Sequence, residues 1–354
     1  MKYRKDKIPF PLDVIIFDMD GVLIDVKKSY RETIKKTVHI YLKEALGFKG
    51  GKRALVSDRE ISLFKEVGGF NNDWDLTSGL LLYLLSLSNL APPPRKNPFH
   101  SMKETIQHLR FLGAKHLNEI DTILKKKDIP YFAKRLSNTT GGLKGVLTCI
   151  DPSWKNLVYC SGNLNRENLV KRIFQEVYLG KRFQSYYHLR PIFYQGEGLY
   201  AREKLLIKKD SLKKLREHFR LGIASGRPRI EAQLALKRFG IENYIEGLVT
   251  LDDCHEEEER VLQNTGRRVN FSKPHPFSIL KSIRRITSEK VRCAYVGDVV
   301  DDMVAANKAK KRMEILAIGC TGPGRNQSHR RKALIHAGAD IIIKNPDELL
   351  DLIV

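Results

Sequence analysis

Residues 14–21 of the 354-residue chain read VIIFDMDG, a short apolar run that ends in acidic residues and a glycine. Val14–Phe17 is continuously apolar and rich in β-branched side chains, which is typical of a strand buried on both faces of a parallel sheet. Asp18 and Asp20 follow at the carboxyl end of this strand, where α/β sheets place their ligands. Because aspartate and glycine are also ordinary turn residues, the D-x-D-G pattern alone is weak evidence for a catalytic site.

Similar apolar runs return in the second half of the chain and predict further strands. They are Leu221–Ala224, Gly247–Thr250, Val291–Val296, Ile315–Ile318 and Ile341–Ile343. Helical patterns separate most of them, such as Arg229–Phe239, which Gly240 follows at a position typical of a helix C-terminus. Strands that alternate with helices in this way predict an α/β fold with a Rossmann-like parallel sheet and right-handed crossovers.

A long block that breaks this alternation separates the first strand from the second. It opens with apolar residues at every fourth position from 34 to 46, which predict an amphipathic helix, and it continues with mostly helical patterns. The sequence therefore predicts an enlarged, mostly α-helical domain at 26–203, with an extra insertion at about 92–160. Residues 1–25 and 204–354 form the α/β core into which this domain is inserted.

Three later features place further polar groups after predicted strands. Ser225 follows the second strand, and a hydroxyl beside free N–H groups at a helix start can bind an anion. Lys273 lies in a Ser-Lys-Pro turn, where its ammonium can balance the charge of phosphate and carboxylate groups. Asp298, Asp301 and Asp302 follow the strand at 291–296, and Mg²⁺ prefers oxygen ligands of this kind.

Each of these residues also has an ordinary structural explanation. Ser225 can cap a helix, Lys273 can be one solvated lysine among many, and Asp301 and Asp302 can be acids that favour the first turn of a helix. Those explanations give no reason for four groups to follow predicted strands in one order. The groups are the D-x-D-G pattern, Ser225, Lys273 and the acidic residues after the strand at 291–296. An ordered set is a much stronger signal than any one of its members.

Taken in this order, DMDG at 18–21, the Ser225 turn, Lys273-Pro274 and GDVVDD at 297–302 resemble the four motifs of the haloacid dehalogenase superfamily. The resemblance covers residues 12–25 and about 204–354. An insertion directly after the first motif resembles the helical cap domain of the phosphoglycolate phosphatase-like subfamily, although the cap domain is enlarged in this chain.

The resemblance implies a phosphatase mechanism in which each motif has a role. Asp18 would be the nucleophile that forms an aspartyl-phosphate, and Asp20 would be the general acid and base. The side chains of Asp18 and Asp298, with the backbone carbonyl of Asp20, would hold Mg²⁺. Ser225 would hydrogen-bond the transferring phosphoryl group, and Lys273 would neutralise developing charge.

The resemblance leaves some points open. Asp301 and Asp302 would support the site by orienting Lys273 or metal-bound water, and either residue can do so. The expected reaction is hydrolysis of a small phosphomonoester, a phosphorylated metabolite, with Mg²⁺ as the cofactor. A sugar phosphomutase and a phosphonate hydrolase are alternatives that use the same core.

Five further residues are predicted to contact the substrate. Gly226 and Arg227 border the expected phosphate pocket, although a solvated arginine is an equally good interpretation of Arg227. Asn71, Asn72 and Trp74 belong to the sequence GGFNNDW, a loop whose amide and aromatic groups can meet a polar leaving group. A plain connector between helices, with Trp74 in the core of the cap domain, is an equally weighted alternative.

The charge balance is strongly basic, with 63 Lys and Arg against 41 Asp and Glu and a formal net charge of +22. Such a balance favours anionic partners, and it suits a phosphorylated substrate. A nucleic-acid-binding protein is the alternative from a different functional class. Its only support is the charge, because the sequence contains no recognisable nucleic-acid-binding motif.

The remaining features predict a cytoplasmic protein without a membrane partner. The chain has five cysteines but no C-x-x-C pair, and its start lacks a secretory signal, so we expect reduced thiols. The most apolar run, 80–87, is too short to span a bilayer and predicts a buried helix. Cys254-His255, followed by four glutamates, predicts an exposed acidic loop rather than a metal site. The oligomeric state is left open.

Overall fold

The chain forms two compact units in a computed structural model that describes residues 10–70, 72–96, 99–116, 118–322 and 327–353. One unit joins the segment that ends at Val26 to the segment that begins at Lys204, and we call it the core unit. The other unit runs from Lys27 to Glu203, and we call it the inserted unit. The inserted unit therefore interrupts the core unit early in the chain.

The core unit is built on a parallel sheet. The strands of the core unit are β1 (Val14–Phe17), β2 (Ile24–Asp25), β3 (Lys204–Leu205), β4 (Arg220–Ala224), β5 (Gly247–Val249), β6 (Cys293–Gly297), β7 (Ile315–Cys320) and β8 (Ile341–Ile343). Six of them pair side by side, all parallel, in the order β5-β4-β1-β6-β7-β8. The two short strands β2 and β3 form a separate antiparallel pair. The predicted α/β fold with a parallel sheet is confirmed.

Helices cover both faces of the sheet. In the core unit they are α10 (Lys209–His218), α11 (Arg229–Phe239), α12 (Leu251–Thr265), α13 (Phe277–Ile286), α14 (Val300–Lys310), α15 (Gln327–His336) and α16 (Glu348–Ile353). Alternate residues of β1 point to opposite faces, so Ile15 and Phe17 pack with α10, α11 and α16, whereas Val14 and Ile16 pack with α13, α14 and α15. Full burial of such a side chain stabilises the fold by about 1.5–3 kcal/mol.

The register of the sheet determines where the polar groups after the strands lie. Phe17, the last residue of β1, is paired with Ile223 of β4 on one side and with Val296 of β6 on the other. Because the three strands are parallel and adjacent, the residues that follow them meet at one edge of the sheet. Ser225 and Asp298 are therefore brought close to the residues that follow β1.

The inserted unit is helical in its described residues. Its α-helices are α1 (Tyr30–Ile40), α2 (Asp58–Val67), α3 (Asp73–Ser86), α4 (Met102–Gly113), α5 (Glu119–Lys126), α6 (Ile129–Leu136), α7 (Gly142–Cys149), α8 (Leu169–Leu179) and α9 (Phe183–Tyr187). The first of them continues into a π-helical turn, Tyr41–Ala45. Helices α1 and α3 pack against α8, while α6 packs on α2 and α7 on α3. The segment at 92–160 is thus integrated into the inserted unit.

The acidic run after Cys254 differs from the sequence expectation. It is not a loop, because residues 251–265 form helix α12. Thr250 and Asp253 explain the difference: the Asp253 carboxylate accepts hydrogen bonds from the backbone N–H of Thr250 (2.8 Å) and from its hydroxyl (3.1 Å), which stabilises the start of a helix. The glutamates then lie along that helix.

Two other expectations concern the apolar run at 80–87 and the thiols. Most of the apolar run lies in helix α3, whose leucines are buried, as predicted. Among the described residues, no helix has both the length and the apolar character needed to cross a bilayer. All five cysteines are free thiols.

Candidate active site

Asp18 lies at the carboxyl end of β1 and is almost fully buried. Its backbone N–H donates a hydrogen bond to the carbonyl of Val296 (2.8 Å), which continues the pairing with β6 by one residue. The chain then turns at Gly21, whose φ of +82° is a left-handed conformation that favours glycine. The sequence pattern of an apolar strand followed by D-x-D-G therefore forms a sharp turn at the sheet edge.

Asp298 follows β6 and approaches this turn closely. A Cβ atom on Gly21 would lie 2.1 Å from Oδ2 of Asp298, so only glycine allows the carboxylate to take this position. Carboxylate oxygens of Asp18, Asp298 and Asp302 all lie within 4.8 Å of one another. The two ends of the core sequence, which the inserted unit separates, thus contribute to one acidic cluster.

Lys273 places its ammonium in this cluster. Its Nζ donates hydrogen bonds to Oδ1 of Asp18 (2.6 Å) and to Oδ1 of Asp302 (2.7 Å). It also contacts the hydroxyl of Tyr295 (3.2 Å) and the carbonyl of Ala224 (3.3 Å). One lysine therefore bridges the carboxylates that follow β1 and β6.

Asp302, rather than Asp301, is the acid that contacts Lys273. Asp302 is fully buried in the first turn of α14, and its Oδ1 also accepts a hydrogen bond from the hydroxyl of Tyr295 (2.7 Å). Its Oδ2 accepts bonds from the backbone N–H groups of Asp298 (3.1 Å) and Val299 (3.2 Å). Both oxygens of Asp302 are thus used in holding the site together.

Tyr295 is a residue of the site that the sequence reasoning missed. It lies within β6, is fully buried, and its hydroxyl connects Lys273 with Asp302. The available signal was its position two residues before Gly297, on the strand that leads to Asp298. A tyrosine in a buried strand requires a hydrogen-bond partner for its hydroxyl, and such a partner is most readily found at the polar end of the strand.

The charges of the cluster are not balanced, since three carboxylates face one ammonium. Burial raises the pKa of Asp18 from 3.8 to about 7, and the charges of Asp302 and Asp20 add to this effect against the opposing pull of Lys273. Burial, together with the charges of Asp302 and Asp18, raises the pKa of Asp298 well above its ordinary value. Although burial alone would lower it, the pKa of Lys273 is raised because Asp18 and Asp302 stabilise the ammonium.

The donor set fits a Mg²⁺ ion. Carboxylate oxygens are the ligands that Mg²⁺ prefers, and a divalent cation would offset the excess negative charge. Because the oxygens of Asp302 already accept bonds from Lys273, Tyr295 and two N–H groups, the side chains of Asp18 and Asp298 are the ones left to bind a metal. This selection agrees with the predicted side-chain ligands.

Ser225 is buried at the carboxyl end of β4. Its N–H bonds to the carbonyl of Val249 (2.9 Å), and its Oγ accepts a hydrogen bond from the backbone N–H of Arg227 (3.1 Å). Gly226, between the two, is exposed at the tip of the turn. The turn is therefore closed by an internal hydrogen bond, and Gly226 is its most accessible residue.

Arg227 does not have the solvated position that was one of the two alternatives considered from the sequence. It is buried, with 2% of its surface exposed, and is therefore not a solvated arginine. Its guanidinium contacts Oδ1 of Asp20 through Nε (2.6 Å) and Nη2 (2.6 Å). The side chain that was predicted to border the phosphate is thus bound to the second aspartate of the DMDG motif.

The three candidates in the inserted unit have different outcomes. Asn71 lies outside the described residues. Asn72 caps helix α3: its Oδ1 accepts a hydrogen bond from the N–H of Asp75 (2.8 Å), and its Nδ2 donates to the Asp75 carboxylate (2.9 Å). Trp74 is only 7% exposed, and its ring contacts Phe174 edge to face and lies under Lys171. Trp74 is therefore part of the interior of the inserted unit.

Comparison with known proteins supports the family resemblance that was inferred from these motifs. A family model described as "Haloacid dehalogenase-like hydrolase" matches residues 207–315, which include Ser225, Lys273 and Asp298. That segment of the chain is therefore similar to haloacid dehalogenase-like hydrolases, which agrees with the resemblance carried by its motifs.

Two curated relatives match different lengths of the chain. An imidazoleglycerol-phosphate dehydratase from Phytophthora nicotianae is 22% identical over 301 residues, which are 84% of this chain and 42% of that protein. Pyrophosphatase PpaX from Bacillus pumilus (strain SAFR-032) is 26% identical over 145 residues, which are 41% of this chain and 56% of that protein. The chain thus spans about half the length of the curated relatives it matches.

A solved structure shares the fold over nearly the whole chain. It is a crystal structure from a structural genomics programme, with a TM-score of 0.59 and 20% sequence identity. The match covers 96% of this chain and 97% of the other. It shows that the fold of this chain also occurs in an experimentally determined structure.

Proposed function

We propose that this chain, whose core is similar to that of haloacid dehalogenase-like hydrolases, is a Mg²⁺-dependent phosphatase that acts on a small phosphomonoester through an aspartyl-phosphate. The observation that carries the proposal is the cluster at the sheet edge. There Lys273 holds the carboxylate of Asp18 at 2.6 Å, with Asp298 beside it and Asp20 two residues along the chain. These groups provide a nucleophile, a counter-charge, a metal ligand and a proton carrier.

The first half of the reaction uses both aspartates of the DMDG motif. A carboxylate oxygen of Asp18 forms a bond to phosphorus as the bond between phosphorus and the ester oxygen breaks. Asp20 gives its proton to the departing alkoxide, which leaves as an alcohol. Lys273 stabilises the charge that develops on the phosphoryl oxygens, and Ser225 donates a hydrogen bond to one of them.

The second half releases phosphate and restores the enzyme. Asp20, now a carboxylate, takes a proton from water while the water oxygen attacks phosphorus, and the bond to Asp18 breaks. Asp18, Asp298 and the backbone carbonyl of Asp20 would hold Mg²⁺, which would supply positive charge to offset the negative charge of the phosphoryl group. The buried network around Lys273 and Asp302 keeps the nucleophile in one position through both halves.

Phosphate release from p-nitrophenyl phosphate tests the proposal. We expect activity with Mg²⁺, its loss after chelation by EDTA, and its loss in Asp18→Asn. Asp210→Asn is the matched control, because it makes the same change at an exposed acid on α10. Unchanged turnover in Asp18→Asn, or activity unaffected by EDTA, contradicts the proposal.

The described groups at the sheet edge of the core unit suit phosphoryl transfer. A phosphate-release screen over phosphorylated metabolites tests which small phosphomonoester is the substrate.

A further inference from the structure

Arg227 is among the largest fully buried side chains in the chain, and it lies in the turn between β4 and α11. A guanidinium remains charged at any physiological pH, and a buried charge is costly unless it is paired and hydrogen-bonded. The burial of Arg227 therefore needs a partner that compensates its charge. Asp20, whose proposed role is to carry a proton, is such a partner.

The contact between Arg227 and Asp20 is directed at one oxygen. Both Nε and Nη2 of Arg227 lie 2.6 Å from Oδ1 of Asp20. The backbone of Arg227 is fixed as well, because its N–H bonds to Oγ of Ser225 (3.1 Å) and its carbonyl accepts a bond from the N–H of Leu251 (2.9 Å). The arginine is thus a rigid support for Asp20 that is anchored on the Ser225 turn.

The other oxygen of Asp20 is left available. Within the described part of the chain, Oδ2 of Asp20 accepts no hydrogen bond, and the Asp20 side chain is 33% exposed whereas that of Arg227 is 1% exposed. An oxygen that already accepts two charged N–H groups is a poor site for a proton. The geometry leaves Oδ2 as the atom that can exchange a proton with a bound substrate or with water.

We propose that Arg227 is a positioning residue that fixes the carboxylate of Asp20 through Oδ1 and makes Oδ2 the atom that gives and takes the proton. This inference rests on the proposed phosphatase function. It assigns Arg227 a role different from binding the substrate phosphate, since its Nε and Nη2 are both directed at Asp20. The ion pair also couples the turn after β4 to the turn after β1, which are 207 positions apart in the sequence.

A leaving-group series distinguishes positioning of Asp20 from binding of phosphate. In substituted phenyl phosphates, the phosphoryl group is constant and the demand for a proton rises as the leaving phenol becomes less acidic. In Arg227→Gln we expect kcat to fall by about 10²-fold for phenyl phosphate, and by only a few-fold for dinitrophenyl phosphate, because general acid catalysis contributes about 10²–10⁴-fold where it is needed. KM should stay within about threefold of the wild type, since uniform substrate binding is unchanged.

Two further variants make the test specific. Arg227→Lys keeps the charge and one donor, and we expect it to restore part of the kcat for phenyl phosphate. The double variant Asp20→Asn/Arg227→Gln should be no slower than Asp20→Asn alone, because Arg227 acts through Asp20. Circular dichroism reports whether Arg227→Gln folds. If it does not, kcat across the leaving-group series is compared for Arg227→Lys and for the double variant instead.

The outcomes separate the inference from the function on which it rests. If the wild type releases no phosphate from any member of the series, the proposed phosphatase function is wrong. If the wild type is active but the Arg227 variants lose the same factor for every leaving group, the positioning role is wrong. A rise in KM at constant kcat would instead assign Arg227 to phosphate binding and would equally overturn the inference.

Discussion

The substitution Asp18→Asn is expected to stabilise the metal-free protein at neutral pH while it removes the nucleophile. Asp18 is buried beside two further carboxylates, and its pKa is raised from 3.8 to about 7 despite the contact with Lys273. The folded protein therefore keeps a proton on Asp18 up to about pH 7, whereas the unfolded chain releases it near 3.8. Between these values the unfolded state binds fewer protons, so the free energy of unfolding of the wild type falls as the pH rises.

The size of the effect follows from the two pKa values. One pKa unit corresponds to about 1.4 kcal/mol, so the gap between 3.8 and about 7 amounts to on the order of 4 kcal/mol. Asparagine has nearly the same shape and does not ionise. We therefore expect Asp18→Asn to equal the wild type at about pH 4 and to exceed it by up to roughly 4 kcal/mol at about pH 7.5.

Urea denaturation in EDTA, measured at several pH values, tests this expectation. The exposed substitution Asp210→Asn is the matched control, and it should show no such growing difference. Added Mg²⁺ should stabilise the wild type more than Asp18→Asn, because the variant lacks one carboxylate ligand. A variant that is no more stable than the wild type at neutral pH, or a difference that does not change with pH, refutes the electrostatic reasoning.

Further substitutions test other parts of the site. Lys273→Met leaves the acidic cluster without its ammonium and should lower the free energy of unfolding by about 3–5 kcal/mol in urea at neutral pH; an unchanged value contradicts the buried ion pair. Tyr295→Phe removes the hydroxyl bonded to Asp302 (2.7 Å) and should cost about 1.5–3 kcal/mol in the same assay, and no loss would show that the bond is unimportant. Gly21→Ala adds a Cβ 2.1 Å from Oδ2 of Asp298 at a φ of +82°, which should cost about 1–3 kcal/mol and lower Mg²⁺-dependent phosphate release; wild-type activity contradicts the close approach.

The sheet and the main groups of the site could be predicted because they depend on local pattern. The apolar run at 14–17 identifies a strand buried on both faces, and the side chains that follow parallel strands meet at one edge whatever the rest of the chain does. Asp18, Ser225 and Asp298 were identified in this way, and the structure brings them to one edge.

Other features depend on contacts that no local pattern contains. The ion pair between Arg227 and Asp20 joins positions 207 apart, so the sequence could not distinguish it from a solvated arginine. Tyr295 looked like one more apolar residue of a strand. The helix at 251–265 did have a local signal, since Thr250 and Asp253 form a capping box, but the run of four glutamates after Cys254 was interpreted as a loop.

The small antiparallel ribbon formed by β2 and β3 determines what the core can accept as an insertion. Asp25 is paired with Lys204, so the chain leaves and re-enters the core at neighbouring strands, which lie about 5 Å apart in such a ribbon. Any polypeptide whose two ends are separated by that distance meets the geometric requirement. The entropic cost of closing a longer connection grows slowly, by about 0.6 kcal/mol for each doubling of length. The junction therefore permits inserted segments of very different length between Asp25 and Lys204 without altering the register of the six-stranded sheet.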